Sequence, residues 1–227
     1  MKSKFIFVAI LKQPMKVKHY LTILSSLLFL TTFAQDTISH KMQDAFIGGG
    51  FVLGSSAADG KVNYGQSREF MVGAGTGYKF CKWNGIGIDI YYKSTDFYLK
   101  QDSAKVLPNN VQHSSEKISF DNIGGLVFDR FYFGKVYLDG GFYYDWAFYT
   151  KHITWDKDTV ANAGTTVKTI DKQLKFLAPT NYGLTFRFGS QTGVSFYFNY
   201  RLSKLYKSDV TYPQLPAYVL GLTVGLH

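Results

Sequence analysis

Cysteine is almost missing from this sequence. Cys81 is the only one, so no intramolecular disulfide and no cysteine-built metal cluster can form. Histidine is sparse as well. Beyond residue 34 only His40, His113, His152 and His227 remain, scattered without the spacing of a metal site. Long apolar runs are absent from the same region. No stretch after residue 34 reaches the roughly 20 residues a membrane helix needs, which excludes an α-helical membrane protein.

The formal net charge of +9 points to less than it suggests. Lys2, Lys4, Lys12, Lys16 and Lys18 all fall within the first 34 residues, where no acid occurs. Of 25 basic residues, 20 then remain against 16 acidic ones, a net charge of +4 with no basic cluster. A nucleic-acid partner is excluded on that ground.

Residues 1–34 read as an export signal. Met15-Lys16-Val17-Lys18 is a basic n-region and Tyr20 to Leu30 an apolar core. Thr32-Phe33-Ala34 places small residues at −3 and −1 of a cut before Gln35. Met15 reads as the true start. Residues 35–227 then suit one exported domain.

What this domain has in abundance is aromatic residues, 17 Tyr and 20 Phe over the whole chain, set in period-2 alternation. Val194, Phe196, Phe198, Tyr200 and Leu202 alternate with Ser195, Tyr197, Asn199, Arg201 and Ser203. Tyr218, Leu220, Leu222 and Val224 alternate with Gly221, Thr223 and Gly225. Phe176, Tyr182, Leu184, Phe186 and Phe188 oppose Lys175, Asn181, Thr185 and Arg187. Leu138, Phe142, Tyr144, Trp146 and Phe148 oppose Asp139, Tyr143, Asp145 and Tyr149. Looser versions set Phe70, Val72, Tyr78 and Phe80 against Gly73 to Lys79, and Ile86 to Tyr92 against Asp89 and Lys93. In another, Ile118, Phe120, Leu126 and Phe128 oppose Ser119, Asp121 and Asp129. With a segment near 44–54, blurred by Gly48-Gly49-Gly50, these make eight strands.

Their connections alternate in length: about 14 residues (55–68), 4 (81–84), 17 (100–116), 3 (133–135), 21 (151–171), 5 (189–193) and 9 (207–215). Such alternation predicts an all-β, eight-stranded antiparallel up-and-down transmembrane β-barrel behind a cleaved signal peptide. Long loops would face the exterior and the termini the periplasm. A soluble barrel would place the aromatic face inward. The polar face argues otherwise, because it carries Lys79, Lys93, Lys175, Arg187 and Arg201 against Asp89, Asp121, Asp129, Asp139 and Asp145, among many glycines. A lumen only wide enough for side chains suits small residues and matched charges, so these ten are expected to be a structural plug. Aromatics are expected at both rims: Phe80, Trp83, Tyr132, Phe133 and Phe188 at one, Tyr98, Trp146, Phe148, Tyr149 and Tyr206 at the other.

The Thr32–Asp36 export junction, the Gly/aromatic strands and the closing Tyr218-Val219-Leu220-Gly221-Leu222-Thr223-Val224-Gly225-Leu226-His227 together resemble a known group. They are similar to the small outer-membrane β-barrel proteins of the Bacteroidota, often labelled PorT-like or outer membrane protein beta-barrel domain. That resemblance implies an outer-membrane location for residues 35–227, and for some members a link to protein secretion. The partners expected are outer-membrane lipid and lipopolysaccharide, with a surface or secretion-system protein. The leading functional expectation is a non-enzymatic barrel displaying polar loops at 55–68, 100–116 and 151–171. A narrow low-conductance channel is the alternative. A lipid-modifying enzyme needs a nucleophile beside a histidine base. His152 with Asp156 is the one cluster of that kind, and His113-Ser114-Ser115-Glu116 reads as loop composition. Neither cofactor nor metal is expected.

Overall fold

The computed structural model describes residues 41–54, 61–103, 105–157, 165–207 and 212–226. The export signal and its cleavage site lie outside the described residues. Nine strands follow one another without a helix among them: β1 (Lys41–Leu53), β2 (Arg68–Cys81), β3 (Asn84–Tyr98), β4 (Ser115–Phe133), β5 (Val136–Lys157), β6 (Thr166–Lys172), β7 (Thr180–Ser190), β8 (Val194–Arg201) and β9 (Tyr218–Leu226). Eight of them close into an antiparallel barrel. The sheet runs β4-β3-β2-β1-β9-β8-β7-β5, and β4 pairs β5 to complete the ring. Closure matters because a lone sheet edge exposes unpaired N–H and C=O groups.

Three connections are tight turns at one end of the barrel, 82–83, 134–135 and 191–193. Gly134 (φ +66°) and Gly193 (φ +97°) take the left-handed backbone that two of these turns need. The other end is more elaborate than a ring of loops. Where 151–171 was expected to be a loop, β5 continues to Lys157 and returns as β6, which pairs with Lys151–Lys157. Ile153, Trp155, Val167 and Ile170 favour extended structure, and β4 already offers an edge to build on. The hairpin thus prolongs the β4–β5 ladder past the ring. The last connection is also longer than expected, running from residue 202 to 217.

The alternation divides the barrel into an outward apolar face and an inward mixed face. On β7, Tyr182, Leu184, Phe186 and Phe188 are exposed while Asn181, Thr185 and Arg187 are buried. β2, β3, β5, β8 and β9 follow the expected assignment over most of their length. β4 does not. Its faces are exchanged: Ile118, Phe120, Leu126 and Phe128 point inward, and Ile123 and Val127 point outward. Bulky side chains fit inside because glycines face them. A Cβ on Gly87 would fall 2.2 Å from the Phe128 ring, and one on Gly141 would fall 2.9 Å from Leu126. A register shift between Asp121 and Asn122, where β5 carries Phe148 as an extra residue, turns Tyr149 outward as well.

At the elaborate end the interior becomes hydrophobic. Val52, Val62, Phe97, Leu99, Leu107, Ile118, Phe120, Leu177, Leu205, Tyr206 and Leu215 form one buried cluster. Segments between strands supply seven of these eleven side chains. Val62 bridges to Leu99, Leu177 bridges to Tyr206, and the Tyr212 hydroxyl donates to the Pro108 carbonyl at 2.8 Å. Tyr206, expected at the outer rim, instead packs inside against Phe176 and Tyr212. These connections make a packed cap.

Candidate functional site: the charged lumen and its cap

Asp139 on β5 is fully buried and holds two guanidinium groups. Arg130 donates to it from Nε at 2.7 Å and from Nη2 at 2.9 Å, and Arg187 Nε donates at 2.9 Å. Arg187 then reaches across the lumen to Asp89 with Nη1 at 2.6 Å. Rings line the same space: Arg130 lies 3.8 Å from the Tyr137 centroid and Arg187 lies 4.4 Å from that of Phe128. Charges in a dry interior are tolerable only when paired, and a bidentate carboxylate fork is the strongest pairing available.

Nearer the cap lies a second cluster. Lys93 forms an ion pair with Asp145 and sits 3.9 Å from Glu69, and the Tyr91 hydroxyl donates to Asp145 at 2.8 Å. Glu69 also accepts from Thr95 and Tyr197, each at 3.3 Å. Cavities of about 50 Å³ and about 20 Å³ flank this cluster. Each has room for no more than a few waters.

Of the ten charges expected in the lumen, five take part in these clusters: Asp89, Lys93, Asp139, Asp145 and Arg187. Lys79 points inward but stands apart near the tight turns, 4.1 Å from the Tyr132 ring centroid. Arg201 lies at the cap, where it donates from Nη2 to the Leu215 carbonyl at 2.5 Å. The other three lie elsewhere. Asp121 and Asp129 belong to the face of β4 that turns outward, and Lys175 is exposed in a turn before β7. Asp121 bonds there with Tyr92, Ser94 and Lys151, and Asp129 with Asn84.

Glu69 and Arg130 complete the network and were not among the ten. Carrying the β2 alternation back from Gly73 through Met71 reaches Glu69, so that signal was present. Arg130 stayed hidden behind the exchanged faces of β4.

In the cap, Glu116 gathers a group of its own. Lys105 pairs with it at 2.5 Å, Gln101 Nε2 donates at 2.7 Å, and His152 Nε2 lies 2.7 Å away. His152 Nδ1 faces Asp171 of β6 at 3.5 Å, while His113 pairs with Asp156 at 2.9 Å. Asp156, expected beside His152, therefore belongs to the other histidine. Both ring nitrogens of His152 face carboxylates, so neither is aimed at a hydroxyl nucleophile. The group ties the 99–114 connection to the β5–β6 hairpin.

Burial raises the Glu116 pKa, but hydrogen bonds from His152, Lys105 and Gln101 outweigh it and hold the carboxyl below its ordinary 4.5. A depressed carboxylate stabilises the fold above its unfolded pKa and ceases to do so as pH falls through the folded value. Amide hydrogen exchange at Leu99 and His113, corrected for intrinsic rate, should stay constant from pH 7 to 5. It should quicken only below 4.5, and Glu116→Gln should show the fast rate throughout.

The chain matches no protein-family model and no curated protein sequence.

Proposed function

We propose that this protein is an outer-membrane β-barrel, closed along its axis, that serves as a non-enzymatic scaffold for its capped end. One observation carries the reading. Every barrel strand turns large apolar side chains outward, among them Phe51, Phe80, Ile90, Val127, Phe142, Phe186, Phe196 and Leu222. Ile90 is 67% exposed and Phe80 is 60% exposed. A continuous belt of this kind is avoided by soluble monomers and required in lipid. Aromatics border it on both sides. Phe80, Trp83 and Phe133 stand at the tight turns, and Trp146 and Phe148 stand toward the cap.

Lumen-filling side chains support closure over conductance, with cavities of about 50 Å³ and about 20 Å³ between them among the described residues. Tight turns would face the periplasm and the cap the exterior, with outer-membrane lipid and lipopolysaccharide as the surroundings. A surface or secretion-system protein would meet the capped end. Adhesion and secretion-accessory roles both fit such a display surface.

Whole-cell maleimide labelling in a Cys81→Ser background tests the reading. Gly164→Cys should label in intact cells, while Gly134→Cys and Ser190→Cys should label only after lysis. The protein should also sediment with the outer membrane and run faster on gels before boiling than after. Recovery in the soluble fraction would refute the location, and the opposite labelling pattern would refute the orientation.

A further inference from the structure

The sheet that projects past the ring carries lysines on its outward face. Ser119, Lys151 and Lys172 stand side by side across β4, β5 and β6. One pair along, Lys117, Ile153 and Ile170 are neighbours, followed by Ser115, Trp155 and Lys168. Lys157 lies beyond them on the same face. Asp96 and Asp121 answer two of these lysines, Lys117 at 2.6 Å and Lys151 at 3.3 Å. The described face thus holds five lysines against two acids.

Lys151 and Lys172 are direct cross-strand partners. Opposed residues in an antiparallel ladder have Cβ atoms roughly 5 Å apart, and like charges there repel. Such a pair is destabilising unless an anion screens it; Asp121 answers Lys151 from one side, and a bound anion would answer both lysines. The level is telling too. Lys151 sits just past Trp146, Phe148 and Tyr149, where the apolar belt ends, and its ammonium lies 5.3 Å from the Tyr149 ring centroid. Lys168 lies 5.7 Å from the Trp155 ring centroid. Lysines stacked on aromatic rings above an apolar belt match the boundary of a membrane leaflet, where lipid phosphates sit.

We propose that the outward face of β4, β5 and β6 is a docking surface for the phosphate groups of outer-leaflet lipopolysaccharide, with Lys151, Lys168 and Lys172 as its main ligands. The proposal rests on the outer-membrane reading given above. It adds a place on the chain, a headgroup chemistry and an orientation. The acyl chains would lie along Ile123, Phe148 and Trp146 below, while the sugar phosphates meet the lysines.

The test uses the full barrel refolded in nanodiscs with trace lipid A bisphosphate, or with the same lipid after phosphatase treatment. Each lysine near an anionic surface contributes roughly a factor of five, so Lys151→Gln/Lys168→Gln/Lys172→Gln should bind the bisphosphate roughly a hundredfold more weakly. Lys100→Gln/Lys204→Gln/Lys207→Gln, a charge-matched change at the same end but off this face, should bind as the wild type does. Heat-modifiable mobility verifies that each variant is folded. A second measurement needs no affinity: lipid A bisphosphate should raise the unfolding temperature of the wild type but not of Lys172→Glu, which replaces the repulsion with an ion pair.

Equal losses in the two triple variants, or equal affinity for the phosphatase-treated lipid, would overturn the proposal. Inorganic phosphate binding as tightly as lipid A would overturn the assignment to a headgroup. Because the assay is done on purified protein, these outcomes are separate from fractionation, which alone decides the cellular location.

Discussion

Arg187→Leu is expected to lower the unfolding free energy by roughly 3–5 kcal/mol, whereas Phe186→Leu, its outward neighbour, should change it by less than about 1 kcal/mol. Arg187 joins the two acids of the Asp139 cluster, bonding Asp139 on β5 and Asp89 on β3 across the lumen. Removing it leaves Asp139 with Arg130, but takes from Asp89 the guanidinium bonded to it inside a closed space. An abandoned buried charge costs more than the pair ever contributed. Phe186 is half exposed on the outward face, so on the outer-membrane reading a leucine there changes its surroundings little. Urea unfolding in vesicles, followed by heat-modifiable gel mobility, measures both. Arg187→Leu/Asp89→Leu supplies the decisive comparison. With both charges gone, most of the lost stability should return. A double variant as unstable as the single one would mean that Arg187 acts by packing and not by charge.

Gly183→Val should abolish folding, whereas Gly140→Val should leave the folded band intact. Both glycines lie in long strands, and sequence gives no reason to rank them. Geometry does. A Cβ on Gly183 would stand 2.1 Å from the Tyr200 carbonyl oxygen of β8 and 2.6 Å from the Tyr143 hydroxyl. A carbonyl already in the ladder cannot swing aside, so β7 and β8 would have to separate. Overpacking of this kind usually costs about 1–3 kcal/mol, and more when backbone must move. The same Cβ on Gly140 meets nothing within 4 Å, because that position faces outward. The readout is the fraction of refolded protein with fast mobility before boiling. A folded Gly183→Val barrel would show that the β7–β8 spacing is softer than its packing suggests.

The two glycines also explain how far the sequence could be read. Strands whose inward face is polar or small and whose outward face is aromatic, such as β7 to β9, declare both faces through strict alternation. β4 fails this rule for a physical reason. Its inward side chains, Ile118, Phe120, Leu126 and Phe128, are as apolar as an outward stripe, since they fill the cap core and the hollows over Gly87 and Gly141. Period alone cannot say which apolar face is inside, and a shift by one residue exchanges every side chain. The misplacement of Asp121 and Asp129, and the omission of Arg130, all follow from that one ambiguity. β6 was hidden by composition, because its seven residues are polar enough to pass for a solvated loop. The cap was hidden because Val62, Leu107, Leu177, Leu205 and Leu215 are isolated in sequence and meet only in three dimensions.

The ring closes where β1 pairs with β9, joining Ala45 to Leu226 and Leu53 to Tyr218. That seam sets a timetable. Every other neighbouring pair is joined by one connection, or for β5 and β7 by the β6 hairpin, but this pair must find each other across nearly the whole chain. Non-local pairings of that sort form late and slowly. Until the seam forms, β1 and β9 each present a bare edge, which hydrocarbon does not tolerate. On the outer-membrane reading proposed above, zipping of the seam and burial in the bilayer must therefore advance together. A catalyst of insertion would act on this protein by holding those two edges until they meet.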